Sequence, residues 1–179
     1  DEVFSFYESQ GVMPRDKIIG FNIGSAVPEK RWPAERFADV ADYFGNKGYK
    51  TVFFGGPMDL DMVKPVVEQM KTSPIVATGA FKLGPLAAAM KWCDLLITND
   101  SGPMHVAISQ GVPIVALYGP SNPFFYGPYQ AKSIVLESMD HYENGKSMKQ
   151  VIKEGKYKGI SIITEEQVIK AAETLLQES

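Results

Sequence analysis

Residues 93–123 read CDLLITNDSGPMHVAISQGVPIVALYGPSNP, and the order of elements in them decides the fold class. An apolar run over 94–98 meets a polar turn, Asn99-Asp100-Ser101-Gly102-Pro103. A short helix is predicted over 104–109, and a second apolar run follows over 113–118. Short runs rich in Val, Ile and Leu read as strands buried on both faces, and strand–helix–strand units at this spacing make parallel crossovers. The same alternation extends outward, with further strands predicted over 17–23, 50–54, 74–77 and 133–136. Between them Phe37, Val40, Ala41 and Phe44 repeat at helical spacing after Pro33, where a first turn tolerates proline. Met62, Val66, Val67 and Met70 mark another helix, and Pro65 requires it either to start late, near Asp61, or to kink. A short helix is predicted over 83–90. The last helix is the clearest: Thr164 and Gln167 form a capping box, and Val168, Ile169, Ala172, Leu175 and Leu176 make its stripe. The expectation is a three-layer α/β domain with a central parallel, doubly wound sheet.

Two stretches fit less well. Residues 1–16 carry Val3, Phe4, Phe6 and Tyr7 ahead of the first strand and read as a helix or linker that packs against something. Residues 122–159 are rich in Gly, Pro and Tyr, with a polar run over 140–158, and read as a long loop with one irregular helix near 147–154. The chain has 179 residues, 45% of them hydrophobic, and its 18 Lys+Arg against 21 Asp+Glu leave a net charge of −3. No global positive field recruits nucleic acid, so an anion site must be local. The single cysteine, Cys93, lies among Trp92, Leu95 and Leu96, which predicts a buried thiol and suits a reducing, cytoplasmic setting. The start, Asp1-Glu2-Val3-Phe4, has no initiator Met and no signal-peptide pattern, which fits either a piece of something longer or a processed terminus. No apolar run is long enough to span a bilayer.

Ligands of open α/β sheets bind outside the carboxyl ends of the strands. Four turns there stand out: 24–33 with Ser25, Lys30 and Arg31; Gly55-Gly56-Pro57; 78–81 with Phe81; and 99–105. In the last, Asp100 or Ser101 is a competent N-cap, Gly102 admits a ligand close to the backbone, and the first-turn N–H groups make an anion cradle. His105 shares a face with Ser101 and could donate to a phosphate or sugar oxygen. Each feature has an ordinary reading too: a capped helix with a surface histidine, a solvated pair of cations, a tight glycine turn, a packed phenylalanine. Their convergence at one edge of one sheet favours a shared pocket. The patterns for dinucleotide oxidoreductases, P-loop NTPases, zinc sites and serine hydrolases are all missing from the sequence.

The stretch GSAVPEKRWPAERFADVADYF (24–44) resembles the opening of the C-terminal domain of bacterial heptosyltransferases, ADP-heptose:lipopolysaccharide glycosyltransferases of family 9 with the GT-B fold. There a small Gly/Ser turn precedes K-x-W-P, here Lys30-Arg31-Trp32-Pro33. Residues 93–123 are similar to the family's hallmark, an apolar strand entering N-D-S-G-P-x-H and a second strand ending in Y-G-P-[ST]. VFFGGPMDLDMV (52–63) and ISIITEEQVIKAAETLL (160–176) match a G-G-P turn and the terminal I-T-x-E-x-V helix. The resemblance implies a Rossmann-like half of a GT-B enzyme, with 17–179 holding an ADP-sugar donor, 1–16 as interdomain helix or linker, and the N-terminal acceptor domain missing. It implies phosphate contacts from Ser25, Lys30 and the backbone at Ser101 and Gly102. Asp100 and His105 would face diphosphate and sugar, Phe81 the adenine, and Asp59 a ribose hydroxyl. No catalytic residue is expected in this chain, because the general base belongs to the missing domain, which also carries most of the lipopolysaccharide acceptor site. No metal or cofactor is implied. A cytoplasmic protein, peripheral at the inner membrane face in its full-length form, follows from the same resemblance.

Three departures stand beside it. The family's T-S-L-x-E-L-A is replaced by residues 80–87, AFKLGPLA; the loop 122–159 lacks the cysteines many relatives carry; and the acceptor half is missing. Half of a nucleotide-sugar epimerase and a non-catalytic nucleotide-binding module are the competing readings. The surface around Trp32, Phe81 and the aromatics of 123–126 is expected to face the missing half, with the alternative that Phe124, Phe125 and Tyr126 fold back onto their own sheet.

Overall fold

The computed structural model describes residues 1–129, 131–138, 147–155 and 159–178. Six strands, β1 (Ile18–Asn22), β2 (Lys50–Phe54), β3 (Ile75–Val76), β4 (Leu95–Asn99), β5 (Ile114–Tyr118) and β6 (Ser133–Glu137), form one sheet in the order β3-β2-β1-β4-β5-β6. Every pairing is parallel. The expected Rossmann-like three-layer architecture is therefore present, with each predicted strand in place and β3 shortened to two residues.

Alternation along the strands divides the core into two. Ile19, Phe21, Phe53, Leu95, Ile97, Val115 and Leu117 face helices α2 (Ala34–Asn46), α3 (Leu60–Gln69) and α8 (Glu165–Gln177). On the opposite face Ile18, Val52, Phe54, Leu96, Ile114, Ala116 and Tyr118 pack against α1 (Glu2–Ser9), α4 (Leu83–Met90) and α5 (Gly102–Ser109). Helix α8 starts at the predicted box: the Gln167 N–H donates to Thr164 Oγ1, and the Thr164 N–H donates to Gln167 Oε1. Helix α3 starts at Leu60, so the late-start alternative fits, and Pro65 sits inside it on the exposed face. The missing Pro65 N–H thus leaves a carbonyl facing water, where it is satisfied cheaply.

Residues 2–9 are helical and belong to this core. Val3 and Tyr7 are buried, Tyr7 Oη donates to the Ala89 carbonyl at 2.9 Å, and the Tyr7 and Trp92 rings lie 5.0 Å apart. In the loop region, a four-residue helix α6 (Pro123–Tyr126) precedes β6, and α7 (Met148–Lys153) falls where the irregular helix was expected. The polar run over 140–158 lies in part outside the described residues. Cys93 is buried as expected, and desolvation pushes its thiol pKa well up, which removes it as a nucleophile. Among the described residues no helix is long and apolar enough to cross a membrane.

Candidate functional site

β1 and β4 are neighbours whose following helices leave toward opposite faces of the sheet, so a crevice opens between the two turns. The turn after β1 is held open by glycine. A Cβ on Gly24 would lie 2.5 Å from the Asp59 carboxylate, and one on Gly55 2.7 Å from it, with Gly55 at φ +147° as well. The two glycines admit one carboxylate, which accepts the Gly56 N–H at 2.9 Å and closes the turn after β2. Asn99 ties the rim together: its Nδ2 donates to the Ile23 carbonyl at 3.0 Å and its Oδ1 accepts the Trp32 N–H at 3.1 Å. Arg31 Nε donates to the Ser25 carbonyl at 2.8 Å and fixes the intervening loop.

The resulting cleft, of about 380 Å³, is walled by Gly24, Ser25, Arg31, Asp59, Ser101 and Gly102, with Met58 and Met62 at its lip. Beside it Lys30 Nζ meets Asp100 Oδ2 at 2.7 Å, the side chains 19% and 6% exposed. A pair this far from water holds its members firmly, because removing one strands the other's charge. Ser25 Oγ leans on the Asp100 carbonyl at 3.5 Å and accepts the Val27 N–H at 3.3 Å, linking pair to cleft. The Tyr126 ring stands 5.8 Å from Lys30 Nζ, and its backbone is anchored where Tyr118 Oη donates to the Tyr126 carbonyl at 2.6 Å.

Of the residues singled out from sequence, Ser25, Asp59, Ser101 and Gly102 share the cleft, and Lys30 and Asp100 pair next to it. His105 is exposed on α5 and is not part of the cleft wall. Phe81 is half-buried and packs edge-on against Phe6 at 5.0 Å, on the α1 side of the sheet. Three expectations need correcting. Ser101 occupies the N-cap position of α5 without a side-chain capping bond, its Oγ accepting instead from Asn22 Nδ2 at 2.6 Å; Asp100 spends its carboxylate on Lys30. The anion cradle is sparser than expected: Pro103 has no N–H, and the Met104 N–H turns back to the Ser101 carbonyl at 3.2 Å, which leaves Gly102 and the Ser101 hydroxyl as donors. Trp32 faces no partner. It is 1% exposed, edge-on to Phe37 at 5.0 Å, with Nε1 donating to the Ile163 carbonyl at 2.9 Å. The other aromatics do lie outside the core, with Phe124, Phe125 and Tyr126 between 57% and 62% exposed.

Sequence reading passed over Asn22 and Asn99. The signal was there, since a carboxamide at the end of an otherwise apolar, doubly buried strand must find partners. Among the described residues no cluster of three metal-ligating side chains occurs.

The family model of glycosyltransferase family 9 (heptosyltransferase) matches residues 4–158. Lipopolysaccharide heptosyltransferase 2 of Salmonella typhimurium is 32% identical over 166 residues, 90% of this chain and 47% of that protein. Among solved structures, a family 9 glycosyl transferase from Veillonella parvula superposes with a TM-score of 0.94 at 78% identity, over 99% of this chain and 51% of that one. The ADP-heptose lipopolysaccharide heptosyltransferase II of E. coli superposes with a TM-score of 0.83 at 27% identity, again over 99% and 51%. The chain thus spans about half the length of the relatives it matches.

Proposed function

The chain belongs to glycosyltransferase family 9, and on that premise we propose that it is the donor-binding half of a heptosyltransferase-like enzyme of the GT-B type. With an N-terminal half it would transfer heptose from ADP-heptose to a lipopolysaccharide inner-core acceptor on the cytoplasmic side of the inner membrane. The observation that carries this reading is the cleft at the β1–β4 crossover, where Ser25, Ser101 and Gly102 meet beside the Lys30–Asp100 pair. In glycosyl transfer the acceptor hydroxyl attacks the anomeric carbon as the bond to the diphosphate breaks. The departing nucleoside diphosphate gains negative charge, which a fixed cation and preoriented donors stabilise. Lys30, the Ser101 hydroxyl and the Gly102 N–H supply that half of the chemistry. Asp100 keeps Lys30 in place and offsets part of its charge until the donor arrives. Asp59 would receive a ribose hydroxyl, and His105 and Phe81 would reach sugar and adenine only once the ligand extends beyond the cleft wall.

The base that deprotonates the acceptor would come from the other half, so this chain alone is expected to bind the donor and transfer nothing. The epimerase alternative is set aside because the matched family is one of transferases. Titration calorimetry with ADP tests the reading: saturable binding, weakened in Lys30→Ala, is expected. Absence of binding at millimolar ADP, or a Lys30→Ala variant that binds as well as the parent, would contradict it.

A further inference from the structure

Asn22, at the end of β1, is fully buried and forms part of the cleft wall. It lies in register with Thr98 of β4, on the sheet face that α5 covers. Its Nδ2 donates to Thr98 Oγ1 at 2.9 Å and to Ser101 Oγ at 2.6 Å, which uses both amide hydrogens. Its Oδ1 has no hydrogen-bond partner among the described residues. Thr98 Oγ1 in turn donates to the Asn99 carbonyl at 2.7 Å.

These bonds have a direction. Because the Thr98 hydrogen is committed to the backbone, Thr98 can only accept from Asn22, so the carboxamide must present its NH2 group to this side. Ser101 Oγ then receives a donor and turns its own hydrogen elsewhere. It makes no capping bond to its own helix, and Ser101 faces the cleft. Rotating the carboxamide by half a turn would set Oδ1 against the Thr98 lone pairs and draw the Ser101 hydrogen inward, away from a ligand. The unpartnered Oδ1 is the cost of the orientation seen, and an unpaired buried acceptor is tolerated where a site needs it.

The geometry points to Asn22 as a positioning residue that fixes the polarity of the Ser101 hydroxyl, so that this point of the cleft selects an acceptor oxygen of phosphate type. The inference rests on the donor-binding reading above, in which that oxygen belongs to the nucleotide diphosphate. It is tested by calorimetry with ADP and, separately, with inorganic pyrophosphate on the parent, Asn22→Ala, Asn22→Asp, Ser101→Ala and the Asn22→Ala/Ser101→Ala double variant.

Asn22→Asp should lose more than about tenfold in affinity for both probes, since a carboxylate takes the Ser101 hydrogen and repels the anion. Asn22→Ala and Ser101→Ala should each lose a few-fold, and the double variant should lose no more than Ser101→Ala alone, a non-additivity that a general loss of stability would not produce. Thr98→Val, which frees the carboxamide while keeping the side-chain shape, should weaken pyrophosphate binding and serves if an Asn22 variant does not fold. Full additivity in the double variant, or parent-like affinity in Thr98→Val, overturns the role of Asn22 and leaves the donor-binding reading intact. Pyrophosphate binding with the expected pattern but no ADP binding upholds Asn22 and overturns the nucleotide reading, and binding of neither probe overturns both.

Discussion

Lys30 and Asp100 are held together at 2.7 Å, so neither can be read alone. A carboxylate beside a diphosphate site is tolerable only while a cation neutralises it. Lys30→Ala should therefore weaken ADP binding by about 1–3 kcal/mol, through the lost charge-assisted bond and the stranded Asp100 charge. Adding Asp100→Asn should recover part of that loss; calorimetry showing a further loss in the double variant would assign Asp100 a direct contact with the ligand instead. Gly102 offers a cleaner separation of folding from binding. A Cβ there would meet nothing within 4 Å beyond its own chain neighbours and helix backbone, and alanine restricts the unfolded chain more than glycine, worth about 0.4–1 kcal/mol where the backbone permits it. Gly102→Ala should keep or raise the melting temperature and lower ADP affinity, and unchanged affinity would remove Gly102 from the site. At this scale the sequence was readable where a residue's place follows from its motif, as for Ser101 and Gly102 in the cleft wall and Lys30 beside it. It was not readable where bonding follows from who sits opposite: Asn22 finds its partners in Thr98 of the neighbouring strand and Ser101 beyond it.

The elements show the same division. Strands buried on both faces announce themselves as apolar runs, and helix α8 announces its start by Thr164 and Gln167, because those signals are local. Helix α6 does not, and β3, foreseen over 74–77, is cut to two residues, since such lengths are set by the packing they meet. Trp32 was misjudged for a related reason: a tryptophan in a loop looks costly in water until α2 and the 160–163 turn close over it and the Ile163 carbonyl accepts its N–H. Asp42, on α2, receives the Lys71 N–H, the Thr72 N–H and the Thr72 hydroxyl, and so pins the turn between α3 and β3. Burial pushes its pKa up, but those bonds outweigh it and the net shift is downward. A carboxylate with a depressed folded pKa stabilises above its unfolded pKa, about 3.9, and loses that contribution as pH falls through the folded value. Asp42→Ala should melt at a lower temperature than the parent at pH 7, and the gap should narrow below about pH 4. A gap independent of pH would show that packing, not charge, is what Asp42 supplies.

For the whole molecule, the helix Pro123–Tyr126 leaves Phe124, Phe125, Tyr126 and, just beyond, Tyr129 at 57% to 68% exposure, with Tyr126 next to Lys30. In a two-half enzyme closing over its donor this face would be covered. On the chain alone it should drive weak self-association, visible as a concentration-dependent sedimentation coefficient that Phe124→Ser/Phe125→Ser abolishes without lowering the melting temperature. A coefficient independent of concentration would remove that face as a contact. The central claim, that the crevice between the β1 and β4 turns holds the donor's diphosphate, is tested most directly by titrating isotope-labelled protein with ADP and following backbone amide resonances. The account predicts saturable shifts concentrated at Gly24, Ser25, Lys30, Ser101 and Gly102, and reduced by Lys30→Ala. Shifts centred elsewhere on the sheet, or none at millimolar ADP, would contradict it.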